Sequence, residues 1–585
     1  MGTIRTGTRA AAIVAVATLL CWGIGATPAG ATLRWGDLQV SGDLSAQNLI
    51  RMRTPSEYMP VQQRNVARIR LDYDFIKDDK VAGRWNAPDF LDSVKGYLLY
   101  RGVYDSYYDF APGGALYEFS GKKIPTVGLA GQPLPGSQAD VPKWARDSVK
   151  FENVLREAYV DLAFKGAPLS FRIGRQQIVW GETDNFRLLD RVNALDLTWH
   201  LQQETEIGHS WDQLRIPYWG IKGLYQVGNL GPVNNGYLEA FWNPGTWQPN
   251  KRRFLPYSPW SLPVISPIDY AGVFPGGLAR DTTIFIQGDY ARNIKENSQA
   301  GIRFGGQGPA GIDFTLAYIY SRYNQDDGAN AAFVRAILDQ EEAVAAFSAG
   351  QLPGYYYTPY TNNVGFSMNY FDSFTEAVLK TEQVFVMGVP FNSGDLRSPI
   401  LPSQLFGTKQ KNMWQGMLGF DRPTWIRWLN PRATWLILGQ FFWHYLLDNE
   451  RSVGNQVGLV GNLNPTGQSP LVVRGTGAPC NGPNFDGCKA RDTIRDWELL
   501  ATIAATSFYL SGTLVPQITY ALDPVNHFNM MVAWSMDYYV TNDFIANLGQ
   551  RYYINTTEQP VRETWGLGGV NRGRSETQVR LTWQF

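Results

Sequence analysis

Glu576-Thr577-Gln578-Val579-Arg580-Leu581-Thr582-Trp583-Gln584-Phe585 closes the sequence, and its residues alternate in character from end to end. Successive side chains of a strand point to opposite faces. Thr577, Val579, Leu581, Trp583 and Phe585 therefore share an apolar face that finishes in aromatics. Glu576, Gln578, Arg580, Thr582 and Gln584 share a polar one. An alternating strand that stops on an aromatic reads as a signal for barrel-assembly machinery, carried by Trp583 and Phe585. The competing reading is a sandwich strand that happens to end the chain.

The same period of two recurs upstream. Leu38, Val40, Leu44, Ala46 and Ile50 alternate with Gln39, Ser41, Asp43, Ser45 and Gln47, and Ala67, Ile69, Leu71, Tyr73 and Phe75 with Arg68, Arg70, Asp72 and Asp74. Met530, Val532, Trp534 and Met536 oppose Asn529, Met531, Ala533 and Ser535. A sandwich would turn the charged face to water, whereas a transmembrane barrel turns the apolar face to lipid and the charged face to a wet lumen.

Connections separate the two folds. Lys165–Pro168, Gly305–Gly311 and Ser511-Gly512 are short Gly/Pro-rich turns. Asp105–Glu152, Val179–Pro217, Asn243–Asn297, Ser321–Asn363 and Leu446–Thr493 are long. Connections of about 40 residues are foreign to a compact soluble domain, while one short-turn rim and one long-loop rim are the rule in outer-membrane barrels. The expected fold is all-β: an antiparallel transmembrane barrel over residues 32–585 with eighteen strands. Sixteen stays open, because Ser93–Tyr104 and Val540–Tyr553 are ambiguous.

Composition fits this reading. Of 585 residues, 44% are hydrophobic, 14% aromatic and 18% charged, with 52 basic residues against 52 acidic ones. That balance excludes a nucleic-acid partner, which needs a basic surface, and the aromatic content excludes a disordered chain. Arg5 and Arg9, the apolar run from Ala10 to Leu20 and the small residues Ala29-Gly30-Ala31 read as a secretory signal over residues 1–31. Beyond it no apolar run reaches the roughly 18 residues of a membrane helix.

Sites of chemistry are sparse. Cys480 and Cys488, in a Gly/Pro/Asn-rich stretch of an oxidising compartment, are expected to form a disulfide. His200, His209, His444 and His527 show no metal-ligand spacing, so neither a metal nor another cofactor is expected. His209-Ser210 are adjacent, and adjacent residues of an extended chain face apart, which leaves a lipase site as the third-ranked reading. Phe333, Ile337, Val344 and Phe347 recur at helical spacing and predict a loop helix over Ala331–Ala349, either a constriction in the barrel mouth or a cover on its rim.

The richest segment is Arg172–Asp196. Arg172, Gly174 and Gln176 share the polar face of one strand, and Glu157, Tyr159 and Asp161 that of the strand before it. Glu182, Arg187, Asp190, Arg191 and Asp196 follow in the adjoining loop, with Arg175 close by. These charges form either a salt-bridged structural network or a solute-contact site in the lumen. The strings Glu157-Ala158-Tyr159-Val160-Asp161, Gly174-Arg175-Gln176-Gln177-Ile178-Val179-Trp180-Gly181-Glu182 and Leu189-Asp190-Arg191-Val192-Asn193 resemble domain-of-unknown-function family 1302. Asn193-Ala194 stands where that family has Asn-Pro.

The resemblance implies an outer-membrane barrel connected with hydrophobic-compound or steroid utilisation and with transport partners of the resistance-nodulation-division type. It supplies no catalytic residues. The expected function is a porin-like channel or transporter, bathed in outer-membrane lipid, for hydrophobic or amphipathic small molecules. The alternative is a closed barrel that acts as a binding or assembly component of an envelope export complex, working with a periplasmic or inner-membrane transport partner.

Overall fold

The computed structural model describes residues 32–54, 57–110, 123–127, 133–140, 150–184, 186–196, 211–246, 285–286, 297–323, 333–336, 354–357, 359–393, 407–448, 453–454, 497–525, 528–554 and 575–585. Alternation produces eighteen long strands. The first six are β1 (Leu38–Thr54), β2 (Glu57–Lys77), β3 (Leu91–Asp105), β4 (Phe151–Phe164), β5 (Leu169–Gln176) and β6 (Tyr218–Leu230). The next six are β7 (Val233–Asn243), β8 (Gln299–Gln307), β9 (Asp313–Arg322), β10 (Tyr360–Asp372), β11 (Ala377–Ser393) and β12 (Gly407–Thr424). The last six are β13 (Trp435–Leu446), β14 (Trp497–Thr506), β15 (Leu514–Asp523), β16 (Asn529–Tyr539), β17 (Phe544–Ile554) and β18 (Ser575–Gln584). Each pairs antiparallel with its neighbour in sequence, and β18 returns to β1, so the sheet closes on itself. The two ambiguous stretches are β3 and β17, which decides for eighteen strands over sixteen.

The seam lies between the ends of the chain. Leu44 sits opposite Trp583 and Asp43 opposite Gln584. Beyond them Gly42 N–H donates to the Phe585 carbonyl at 2.8 Å, and Phe585 N–H donates back to Gly42 at 3.0 Å. Closure leaves no unpaired edge, the condition for a sheet to stand in hydrocarbon.

The eight connections at one rim are short and those at the other include all the long ones, as the turn chemistry required. The outer surface is apolar around the whole ring: Leu98, Ile173, Ile221, Ile302, Leu316, Leu418, Ile503 and Leu581 are exposed there. Aromatics cluster toward strand ends, with Tyr73 edge-on to Phe75 at 4.7 Å and Tyr320 stacked on Tyr360 at 4.6 Å.

Two expectations are corrected. Phe333–Ala336, read as the start of a helix, is a strand paired with Gly354–Tyr357; the remainder of Ala331–Ala349 lies outside the described residues. A four-residue strand whose backbone bonds go to a partner overrides the helical spacing, which is a weak signal over so short a span. Nor is the inward face wet and polar throughout. From β11 to β16 it carries Val384, Val386, Met413, Met417, Phe442, Leu446, Leu500, Ala521, Met531 and Ala533, all buried in one apolar cluster. Polar and charged side chains dominate the inner wall elsewhere, including Arg51, Arg64, Arg101, Arg551 and Glu576. The signal segment, Cys480 and Cys488, and His209-Ser210 lie outside the described residues.

Candidate functional site

The apolar cluster exists because a loop fills it. β5 ends at Gln176 and β6 starts at Tyr218, at the rim of the long connections. The described residues that follow β5 turn into the lumen: Trp180, Leu188, Leu189, Val192, Asn193 and Ala194 are at most 1% exposed. Ile178, Trp180, Phe186, Leu188, Leu189 and Val192 belong to the same cluster as the inner wall of β11–β16. A loop has no ladder to satisfy its backbone, so burial requires partners from the wall.

Those partners hold the loop along a chord of the ring. On the β7–β8 side, Trp180 Nε1 donates to Glu239 Oε1 at 2.7 Å, and its ring stands edge-on to Phe241 at 5.1 Å. Arg303 binds the other oxygen of Glu239 at 3.0 Å and lies over the Trp180 ring. On the β10–β13 side the principal anchor is Glu382, which is fully buried. Its carboxylate accepts Glu182 N–H at 2.5 Å and Leu189 N–H at 2.6 Å, one on each oxygen.

Further bonds surround this clamp. Asp184 N–H donates to Gln440 Oε1 at 3.3 Å, while Gln440 Nε2 donates to Asp184 Oδ2 at 2.9 Å. Asn369 Nδ2 donates to Glu182 Oε2 at 3.0 Å. Phe186 packs edge-on against Phe442 at 5.4 Å. Burial raises the Asp184 carboxyl above its ordinary pKa, with Lys380 at 3.6 Å pulling the other way. Leu189 occupies the space a side chain would need at Gly365 on β10, so a larger residue there would make Leu189 shift in the loop.

The returning limb is tied to the wall it left. Asn193, fully buried, accepts Ile178 N–H at 2.7 Å and donates to the Ile216 carbonyl at 2.8 Å. Arg187 donates to the Asn193 carbonyl at 3.0 Å and Arg191 to that of Leu188 at 2.6 Å. Arg215 Nε donates to Asp190 Oδ2 at 2.8 Å. Arg101 on β3 joins Glu152 and the Gln213 carbonyl, and approaches Asp196 at 3.9 Å. Removing one partner of a buried pair strands the other charge. Arg215→Met is therefore expected to lower stability by about 3–5 kcal/mol, measured as a shift in the denaturant midpoint of barrel unfolding.

The sequence-derived residues thus fall into two groups. Glu182, Arg187, Asp190, Arg191 and Asp196 belong to the inward loop. Arg172 and Asp161 face each other across the β4–β5 hairpin, joined by two bonds of 2.7 and 2.9 Å. Arg172 also lies over Tyr159 at 4.0 Å, Tyr159 stacks on Tyr97 at 4.7 Å, and Arg70 covers Tyr97 at 4.9 Å. Glu157 accepts from Gln177 at 2.7 Å, and Gln176 donates to the carbonyls of Arg172 and Gly220. Arg175 stands apart, because alternation places it on the face of Ile173, where it reaches the Pro217 carbonyl at 3.3 Å. The residues that grip the loop, Glu382, Glu239, Gln440, Arg101 and Arg215, escaped the sequence reading. One clue was present: Glu382 is an acid on an inward face continued by Val384 and Val386.

A cavity of about 280 Å3 lies on the short-turn side of the loop. Glu182 from the loop, Tyr237 from β7, Gln307 from β8, Asp313 and Thr315 from β9, and Ser367 and Asn369 from β10 line it.

Comparison with known proteins gives a family and several similar structures. A family model described as "Protein of unknown function (DUF1302)" matches residues 12–584. No curated protein matches the sequence. Among solved structures the chain is similar to OccK9 (OpdG) of Pseudomonas aeruginosa, at 10% identity and a TM-score of 0.39, covering 93% of this chain and 97% of that one. It is also similar to OccAB1 of Acinetobacter baumannii, at 9% identity and a TM-score of 0.41 over 95% and 97% of the two chains. A BenF-like porin of Pseudomonas fluorescens Pf-5 matches at 7% identity and a TM-score of 0.39, over 94% and 98%.

Proposed function

We propose that this chain, which belongs to the DUF1302 family, is an outer-membrane channel that passes hydrophobic or amphipathic small molecules beside the loop inside its barrel. The observation that carries the reading is the two-sided interior. An apolar wall on β11–β16 is covered by a loop held through side chains rather than a ladder, and a charged wall runs from β17 through β6. Displacement of the loop would open an apolar track facing a charged one, a passage matched to a molecule with a tail and a polar head. The closed sheet and its apolar outer surface support a place in the membrane, and the alternating β18 ending in Trp583 and Phe585 supports delivery there by barrel-assembly machinery.

The full burial of the loop core favours a second reading, a closed barrel that binds lipophilic cargo for a periplasmic or inner-membrane transport partner. Planar-bilayer recording on the refolded protein separates the two. A channel gives discrete current steps in the native chain or when Glu382 is replaced by Ala. Silence from both proteins, together with co-purification of a stable envelope partner, would establish the closed barrel instead.

A further inference from the structure

The short-turn rim distributes its charge unevenly. The turn between β2 and β3 mixes Asp78, Asp79 and Asp89 with Lys80 and Arg84, and Lys165 of the β4–β5 turn pairs with Asp79. The turn after β10 adds Glu376 and the turn after β16 adds Asp543. The β12–β13 turn, residues 425–434, is the exception. It holds Arg427 and Arg432 and no acid, and Arg422 precedes it on β12. All three arginines are exposed, and among the described residues none has a carboxylate partner. Asp421 does not serve, because alternation turns it inward to Lys380. Arg427 lies over the Trp425 ring at 5.8 Å.

Apolar side chains are held open beside these charges. Asn430, buried, ties the turn to its neighbour between β14 and β15: its Nδ2 donates to Ser507 Oγ and to the Phe508 carbonyl, both at 2.9 Å. Tyr509 Oη donates to the Leu429 carbonyl at 3.0 Å. The joined turns leave Trp428 84% exposed, and Leu429, Phe508 and Leu510 exposed as well. Leu510 has a φ of 51°, in the left-handed region that disfavours a bulky side chain. An apolar patch of this kind marks a contact surface, and its height on the wall selects the contact. Trp414, Leu418 and Arg422 share the outward row of β12. That row runs about 26 Å along the strand and, at a tilt of about 40°, about 20 Å in height. Trp414, edge-on to Trp443 and Trp497, marks its upper edge. An apolar band about 25 Å tall therefore ends close to Arg422, with both turns beyond it at the level of the headgroups.

We propose that the β12–β13 and β14–β15 turns bind an anionic phospholipid of the leaflet facing the periplasm, with the three arginines on its headgroup and Trp428, Phe508 and Leu510 against its glycerol and upper acyl chains. The inference rests on the barrel standing in a membrane with its short turns on the periplasmic side. Three unpaired cations complement a headgroup with net negative charge, and the apolar patch continues the lipid-facing wall. An acidic periplasmic protein would meet the two turn arginines but not Arg422, which lies on the row of Leu418.

The test is native mass spectrometry of the full-length refolded protein in detergent, titrated with phosphatidylglycerol and with phosphatidylcholine of the same acyl chains. The first lipid retained is expected to bind about tenfold tighter as phosphatidylglycerol. Arg422→Gln with Arg427→Gln and Arg432→Gln should bring the two lipids level. Arg422→Gln alone should narrow the preference about threefold, and it decides the matter if the triple variant does not fold. Lys80→Gln with Arg84→Gln, on the β2–β3 turn, should leave the preference whole. Equal binding of the two lipids by the native chain, or a preference that survives the arginine variants, would overturn the proposal. Arginine-dependent binding of polyglutamate without a lipid preference would assign the face to an acidic protein instead. Insertion is read separately by refolding into phosphatidylcholine vesicles: a protein that inserts and shows no lipid preference refutes the site alone, and one that fails to insert refutes the membrane reading.

Discussion

Glu382→Ala is expected to raise the mean conductance of the barrel several-fold, with long-lived open states that the native protein visits seldom. The substitution removes both oxygens that accept Glu182 and Leu189 N–H, leaving two loop amides without partners. Hydrogen bonds to a charged group contribute about 1.5–3 kcal/mol each, so the docked loop should lose about 3–6 kcal/mol relative to any displaced position. That approaches the roughly 5.5 kcal/mol needed to carry a two-state equilibrium from one extreme to the other. Glu382→Gln keeps the shape and a single acceptor oxygen, and should fall between the two proteins. Protease sensitivity of the loop provides a second reading, since displacement exposes backbone now buried. Identical current and identical protease resistance in Glu382→Ala and the parent would show that the loop does not depend on this clamp.

Gly42→Val is expected to abolish barrel closure. A Cβ at position 42 would fall on the Arg68 carbonyl oxygen of the adjacent strand and 2.8 Å from Cζ of Phe585. The first obstacle is backbone that pairs β1 with β2 and cannot move aside, while the second is the tip of a side chain that can turn away. Overpacking costs about 1–3 kcal/mol where side chains can adjust; against a strand backbone the upper end of that range or more applies. The folded, fast-migrating band on an unheated detergent gel should disappear from refolding trials of Gly42→Val. Leu44→Val, two residues along on the same outward face, should refold as the native chain does. A Gly42→Val protein that gives a normal folded band would mean that the terminal pair contributes nothing to closure.

The fold was legible because its signal is local: in β18 or β2 every second residue repeats the same instruction, and a strand of ten residues suffices to read it. β3 and β17 were harder, because Tyr100, Gly102 and Gly549 interrupt the contrast between faces. The Arg172–Asp161 pair was legible for the same local reason, since a four-residue turn joins their strands. Glu382 was not. It lies 200 residues from Glu182, and Gln440 lies 256 from Asp184, distances over which only the closed ring brings side chains together. The helical spacing at Phe333 failed for the opposite reason: a few matching positions imitate a helix, and strand pairing with Tyr355–Tyr357 decided the backbone.

The seam between Gly42 and Phe585 also governs the order of events during folding. Arg51 and Glu576, joined at 2.8 Å, are separated by 525 residues, so the contacts that seal the ring have among the highest sequence separations in the molecule and should form late. Until β18 has been synthesised, the stretch of β1 from Asp43 to Met52 has no partner on that side. The loop after β5 springs from the rim of the long connections, so the mouth of the barrel admits it before or after the two ends meet. In either order, the cargo that the apolar bed on β11–β16 holds inside the ring is part of its own chain.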